Sequence, residues 1–326
     1  MVNPLFRRAP VCAALLLAVA AAHAQSYPDR PIQMIAQQPP GSGSDAMTRS
    51  WSECASRELG QPIVVQNRPG ANGVLAVNQL KGQPADGYTL MTIGMSQMTI
   101  TPYVYRQAPY DPAKDFADAG VIATSPLVLT VPTALGVTKL DDLATVGKAQ
   151  AGGLDFGSPG NGSPAHLLTT ALMERLGVPA THVPFVGESA GVTALIGDQI
   201  QAMTLVLGTA VPHVKSGKLT ALALFGQERS TLLPDVPTLA EALPAAADLS
   251  RPSWIAVVAK AGTPPAILER IAAATRTCNG DEPYRSRMQN MNLTLVDAKA
   301  GDAQVWSQRD TKVWQPLIER LGLVAE

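Results

Sequence analysis

Ile32-Gln33-Met34-Ile35-Ala36 is followed by Pro39-Pro40-Gly41-Ser42-Gly43-Ser44-Asp45, and then by Met47, Trp51, Cys54, Ala55 and Leu59 at helical spacing ahead of Gly60. The first stretch is apolar and short, as a buried strand is; the last is an amphipathic helix with a glycine stop. Strand, glycine-serine turn and helix in that order open an α/β crossover unit. The turn therefore falls at the carboxyl end of a strand, where open α/β sheets bind ligands. Its glycines let a ligand approach the backbone, Ser42 and Ser44 can donate, and the helix N-terminus offers N–H groups to an anion. A structural role competes with this, because Ser44 or Asp45 can cap the helix and glycine-rich turns are more often architecture than site. The spacing fits neither a Walker loop nor a dinucleotide fingerprint.

The same alternation runs onward. Ile63 to Val65 is the next strand, followed by the loop Asn67 to Gly73, a helix through Leu80 and the strand Tyr88 to Ile93. Val121 to Ala123 and Leu127 to Val131 are strands separated by a turn at Ser125-Pro126. A second series then begins. A helix from Lys139, strand Leu154 to Gly157, helix Pro164 to Leu176, strand His182 to Phe185, a helix to Ile196, and strands Ala202 to Leu207 and Leu219 to Phe225 follow in turn. The strand Trp254 to Val258 and helices ending with Asp302 to Leu321 close the chain. The expected fold is α/β with parallel strands, in two lobes around a cleft: residues 25–120 plus 227–326 in one lobe and 121–226 in the other. A second turn, Ser158-Pro159-Gly160-Asn161-Gly162-Ser163 before Pro164, repeats the logic of the first, with Ser163 as its cap.

Arg7 and Arg8, an apolar run from Val11 through Ala22 and then Ala22-His23-Ala24 read as a secretory signal cut after Ala24. The run is shorter than the ~20 residues of a membrane span. Cleavage removes 24 of the 326 residues and two arginines, so 302 residues remain and the net charge moves from -1 to -3. That balance gives no basic surface for nucleic acid. Hydrophobic content of 46% with 16% charged residues suits a packed soluble chain. Export also places Cys54 and Cys278 where a disulfide can persist; the alternative is two buried thiols.

Catalytic machinery is hard to assemble. His166, His182 and His213 have no metal-ligand spacing, and each is read as a surface or packing residue. Ser96 in Gly94-Met95-Ser96-Gln97-Met98 lacks the last glycine of a nucleophile elbow. Ser96 and Gln97 follow a strand and read instead as polar ligand contacts. Met91, Met95 and Met98 are read as core and cleft lining, and Trp254 as a core residue.

Taken in order, many segments resemble the Bug family of extracytoplasmic solute receptors, which serve tripartite tricarboxylate transporters. They include Tyr27-Pro28, Arg30-Pro31-Ile32, Pro39 to Asp45, Gly60-Gln61-Pro62, Asn67 to Ala71, Asp86-Gly87-Tyr88-Thr89-Leu90 and Pro109-Tyr110-Asp111-Pro112. Ser158 to Ser163, His182-Val183-Pro184-Phe185, Gly217-Lys218-Leu219, Leu233 to Thr238 and Ala261-Gly262-Thr263-Pro264 complete the series. The resemblance implies a type II periplasmic-binding fold that closes over a small organic carboxylate. It implies no cofactor and no catalysis, a monomer, and membrane subunits of the transporter as partners; a sensor for a two-component system is the alternative. By position, the ligand would meet Gly41, Ser42, Gly43, Ser44, Asp45 and Gln38, then Ser158, Gly160, Asn161, Gly162 and Ser163, with Ser96, Gln97, Gly208 and Thr209 at further cleft loops. Gln37 and Gln38, Phe185-Val186 and Leu207-Gly208 depart from the family pattern. The loss of an acid at 207–208 argues against a ligand with an ammonium group, and the added amides favour a hydrogen-bonding one.

Overall fold

Apolar runs bounded by glycine-rich turns become eleven strands in two sheets in the computed structural model, which describes residues 27–323. The expected signal segment, its cleavage point and Cys12 lie outside the described residues. In chain order the elements are β1 (Ile32–Ala36), α1 (Gly43–Leu59), β2 (Ile63–Asn67), α2 (Val74–Lys81), β3 (Thr89–Gly94), α3 (Met95–Thr99), α4 (Pro112–Asp115), β4 (Phe116–Ser125) and β5 (Leu127–Pro132). They continue with α5 (Leu140–Ala149), β6 (Leu154–Ser158), α6 (Pro164–Leu176), β7 (Ala180–Pro184), α7 (Glu188–Ile196), β8 (Ala202–Val206), α8 (Leu207–Lys215) and β9 (Leu219–Phe225). Then come α9 (Leu239–Ala242), β10 (Ser253–Lys260), α10 (Pro265–Cys278), α11 (Glu282–Asn290), β11 (Thr294–Leu295) and α12 (Asp302–Arg320).

The six-stranded sheet has the order β11-β4-β10-β3-β1-β2 and the five-stranded sheet β7-β6-β8-β5-β9. Both are mixed: the expected parallel strands are present, with antiparallel strands among them. β1 is parallel to β2 and β3, and β6 to β7 and β8, as crossover helices require. β10 runs antiparallel to both β3 and β4, and β5 to both β8 and β9. The reversal has a simple cause. β4 ends at Ser125 and β5 starts at Leu127 in the other sheet, so the chain crosses through Pro126 alone, with no helix to turn it. Pro126 has no N–H to lose there, and its carbonyl accepts from Leu207 N–H at 2.9 Å.

Helices cover the sheets, so the central strands are buried on both faces; β5 is buried at every position. The α1 face Met47, Trp51, Cys54, Ala55 and Leu59 packs on the six-stranded sheet together with α10. Trp51 Nε1 donates to Thr275 Oγ1 at 3.0 Å, and the Cys54 and Cys278 sulfurs are bonded across the same contact, with Cα atoms 5.9 Å apart. Met91, Met95 and Met98 are all in the core. So is Trp254 on β10, whose indole donates to the buried carboxylate of Asp310 on α12 at 2.8 Å. The edge of Trp306 stands against that ring, with centroids 6.2 Å apart. Helix α12 then continues to α6, tying the end of the described chain to the five-stranded sheet through Arg320 and Glu174 at 2.6 Å.

Candidate ligand cleft

The first turn leaves β1 and enters α1 through Ser42, whose hydroxyl accepts Asp45 N–H at 3.2 Å. Ser42 is thus the cap, in place of the expected Ser44 or Asp45. Asp45 turns inward instead. Its carboxylate accepts Gly41 N–H at 2.9 Å, Arg49 Nε at 3.0 Å and Asn67 Nδ2 at 2.8 Å. Burial pushes this carboxyl up, but the bonds from Arg49, Asn67 and Gly41 outweigh it and hold the group below the usual carboxylate range. Asn67 also donates to Gln38 O at 2.9 Å, so the backbone of the turn is braced from both ends. Gly43 and Ser44, the first two helical residues, have no intrahelical acceptor for their N–H groups. A Cβ at Gly43 would meet nothing within 4 Å.

The second turn spends its N–H groups differently. Ser158 is fully buried; its hydroxyl donates to Gly160 O at 2.9 Å and accepts Gly160 N–H at 3.1 Å. With its one proton used, Ser158 Oγ accepts from His182 Nε2 at 2.7 Å, which puts the proton of that imidazole on Nε2. Gly162 N–H donates to His166 Nδ1 at 3.1 Å, so His166 also carries its proton on Nε2. Ser163 caps α6 by accepting His166 N–H at 3.2 Å, as expected for the residue before Pro164. Gly160 and Gly162 therefore direct their N–H groups into the protein. Asn161 N–H has no backbone partner among the described residues, and Ala165 N–H has no intrahelical acceptor.

The two histidines read as separate packing residues are one feature. Their rings stack with centroids 3.6 Å apart and planes 14° apart, and Phe156 lies 5.1 Å from His182. Ser158 and His182 also form the serine-histidine contact that the sequence did not reveal. Ser158 has no exposure and both polar groups of Gly160 on its oxygen, so the contact braces the turn. Burial pushes both imidazoles down to about 4, helped in His166 by repulsion between its protonated form and that of His182. Folded values below the ~6.5 of a free imidazole mean that the unfolded chain binds protons the folded chain refuses. Their contribution to stability is full above about 6.5 and is lost as pH falls toward about 4. The melting temperature should therefore drop by several degrees between pH 7 and pH 5. The double variant His166→Asn with His182→Gln keeps the acceptor and the donor, and in it the drop should shrink; an unchanged pH slope would contradict this account.

The remaining expected contacts are scattered. Ser96, in the first turn of α3, has a buried hydroxyl without a partner among the described residues. The Gln97 side chain is buried, accepts from Gln37 Nε2 at 3.1 Å and faces Asn72. Gly208 packs against Met291 and Asn292, where a Cβ would stand 3.0 Å from Met291 O. Thr209 donates to Glu188 Oε2 at 2.7 Å, while Glu188 Oε1 accepts Val206 N–H at 2.6 Å. Burial pushes the Glu188 carboxyl up. A carboxyl does stand at the end of β8 although Leu207 and Gly208 carry none, so the sequence-based argument against an ammonium group loses its premise.

A cavity of about 550 Å³ opens between the ends of the two sheets. Asn72, Val104 and Tyr105 line it on the side of the six-stranded sheet, and Asn161, Gly162, His166 and His182 on the other, with Gly322 and Leu323 at its margin. The walls meet where Gly162 faces Val104: a Cβ at Gly162, which has φ +70°, would lie 3.2 Å from Val104 Cγ1. Of the residues expected from sequence, Asn161 and Gly162 line this cavity; Asn72, Tyr105 and the histidine pair were missed. Asn72 has a sequence signal in hindsight, since an asparagine between Ala71 and Gly73 suits a left-handed turn.

A family model described as "Tripartite tricarboxylate transporter family receptor" matches residues 47–323. Protein BugT of Bordetella pertussis is 36% identical over 246 residues, which is 75% of this chain and 75% of BugT. Among solved structures, R. palustris Rpa4515 with adipate is similar with a TM-score of 0.79 and 26% identity, covering 91% of this chain and 98% of that one. MatC from Rhodopseudomonas palustris with bound malate gives a TM-score of 0.74 at 25% identity, covering 90% of this chain and all of that one (100%).

Proposed function

The chain belongs to the tripartite tricarboxylate transporter receptor family, and from that premise we propose that it is an exported receptor that captures a small organic carboxylate and hands it to the membrane subunits of such a transporter. One observation carries the reading: a cavity whose opposite walls come from loops of two different sheets. A solute bridging those walls favours the state in which they are together, so binding and closure are one equilibrium. The two sheets with their helices form the two lobes, joined by the crossing at Pro126 and by the return before β10. β4 runs in the six-stranded sheet up to Ser125, so residues 121–125 leave the lobe expected at 121–226, while Leu233 and Val236 beyond its expected end at 226 pack in one core with Leu205 and Leu224 of β8 and β9. Residues 1–24 direct export to the periplasm and are removed. The protein acts as a monomer and as a receptor without turnover.

We place the carboxylate end of the solute at the N–H groups of Gly43 and Ser44 at the start of α1, which lie outside the lining of the cavity, because the helix dipole there favours negative charge. Asn161 N–H and Ala165 N–H take the same part at the second turn. Adipate and malate in the related structures support the ligand class. At about 100 times its dissociation constant, a bound acid adds about 2.7 kcal/mol to stability, so a thermal-shift screen with adipate, malate and similar acids should raise the melting temperature clearly. Gly43→Val adds a branched side chain next to the N–H pair at a position where its Cβ meets nothing within 4 Å. Affinity for the acid found in the screen should fall at least roughly tenfold, the worth of one hydrogen bond to a charged group, with melting unchanged. No shift with any acid, or full affinity in Gly43→Val, would count against the reading.

A further inference from the structure

Between β2 and α2 the backbone stays in the left-handed half of conformational space for four residues. The φ angles are +131° at Gly70, +46° at Ala71, +49° at Asn72 and +88° at Gly73. For alanine and asparagine that conformation costs energy, and such strain collects where a side chain must be held in a set direction. The side chain so held is Asn72, which lines the cavity.

Behind it stands a chain of amides. Gln37 Nε2 donates to Gln97 Oε1 at 3.1 Å; Gln97 Nε2 donates to Asn72 O at 3.3 Å and reaches Asn72 Oδ1 at 3.4 Å; Asn72 Nδ2 donates to Thr101 Oγ1 at 3.0 Å. Gln37 and Gln97 are 6% and 4% exposed, and Gln37 Oε1 has no partner among the described residues. Two glycines make room for them. A Cβ at Gly73 would stand 2.5 Å from Gln37 Oε1 and 2.9 Å from Gln97 Cγ, and one at Gly94 would stand 3.1 Å from Gln97 Oε1. Burying two amides in a first-lobe core is costly unless their bonds fix something. What they fix is the amide of Asn72, which still has one N–H and one lone pair to offer. Across the cavity are the exposed Asn161 and the two stacked imidazoles, His166 accepting from Gly162 N–H and His182 bonded to Ser158 Oγ. None of the residues lining the cavity is Asp, Glu, Lys or Arg.

We infer that Asn72 selects a carboxylate bearing a hydroxyl group, with Gln97 and Gln37 as the positioning residues that aim it; the inference rests on this cavity being the ligand site. A hydroxyl both donates and accepts, which is what a clamped amide and a wall of uncharged groups can satisfy. An analogue without the hydroxyl leaves the amide unpaired and binds less well.

The test is calorimetry with matched pairs, succinate against malate and glutarate against 2-hydroxyglutarate, on wild type, Asn72→Gly and Gln37→Met. Glycine at 72 keeps the left-handed backbone and removes only the amide. Wild type should prefer the hydroxy acid of a pair by roughly tenfold, the worth of one neutral hydrogen bond. Asn72→Gly should erase that preference while leaving affinity for the plain acid within about twofold. Gln37→Met touches no ligand, so a loss of preference there identifies positioning, which a merely structural defect would not produce because it weakens both acids alike. Binding without preference in wild type, or a preference that survives Asn72→Gly, overturns the inference and leaves the receptor reading standing. Failure of all four acids to bind wild type overturns both.

Discussion

Asp310→Ala should lower the free energy of unfolding by about 3–5 kcal/mol, the cost of breaking a buried charge pair from one side. Asp310 is 0% exposed on α12. Its carboxylate accepts from Trp254 Nε1, Arg251 Nη1 and Arg309 Nε, each at 2.8 Å. Removing it leaves a buried indole N–H unpaired and strips the largely buried Arg251 guanidinium of its carboxylate, with only the bond from Arg251 Nε to Asp248 O at 3.2 Å remaining. The location enlarges the effect, since Trp254 lies on β10 between β3 and β4 in the middle of the larger sheet. Asp310→Asn keeps an acceptor for the indole and should cost less. Urea denaturation of both variants checks this. If both stay within about 1 kcal/mol of wild type, the typical worth of one net hydrogen bond, Asp310 is not the tie between α12 and the sheet.

Reduction of the Cys54–Cys278 bond should be the second large effect. The cysteines are 224 residues apart, and in the chain-entropy account a loop of that length restrains the unfolded chain by about 5 kcal/mol. The native contact around it is already dry and close, with Trp51, Cys54 and Cys278 all fully buried. Reduction should therefore cost stability through the unfolded state with little change in the folded one. Melting with and without reductant should differ by roughly 10 °C for a chain of this size. Cys54→Ser with Cys278→Ser should match the reduced protein. Equal melting in all three, together with two thiols titrated in the untreated unfolded protein, would show that the bond does not form.

The elements were legible wherever one periodicity ruled. Helix α1, with its apolar face and its Gly60 stop, was readable because Gly60 at φ +74° ends it as a glycine should. Strands β1 and β9 and helix α6 follow from short apolar runs and from the Ser163-Pro164 start. β4 extends back to Phe116, well before the three residues expected, because Asp118 and Gly120 break the apolar pattern. Asp118 is buried to accept N–H groups of Gly301, Ala303 and Gln304 at the start of α12, 183 to 186 residues away. No local pattern announces such a partner. Sheet direction was illegible for the same reason, since one residue at Pro126 decides which sheet β5 joins.

In the cleft, the turns were legible as turns, but the direction of each N–H was not. Whether Gly162 offers its N–H outward or to His166 depends on a residue four positions on whose ring is set by a histidine on another strand. Asn72 was passed over because a single asparagine in a glycine loop is ordinary. Only the glutamines behind it set it apart.

The bond from Trp254 to Asp310 also gives the protein an optical gauge. Trp254 pairs with Thr124, one residue from the end of β4 and two from Pro126. Its indole thus sits beside the crossing between the two sheets, with a fixed carboxylate at its N–H and Trp306 packed edge to face with it. Indole emission shifts in color with the field across the ring, so in a variant whose other three tryptophans are replaced, light from Trp254 should report capture and release without any added dye.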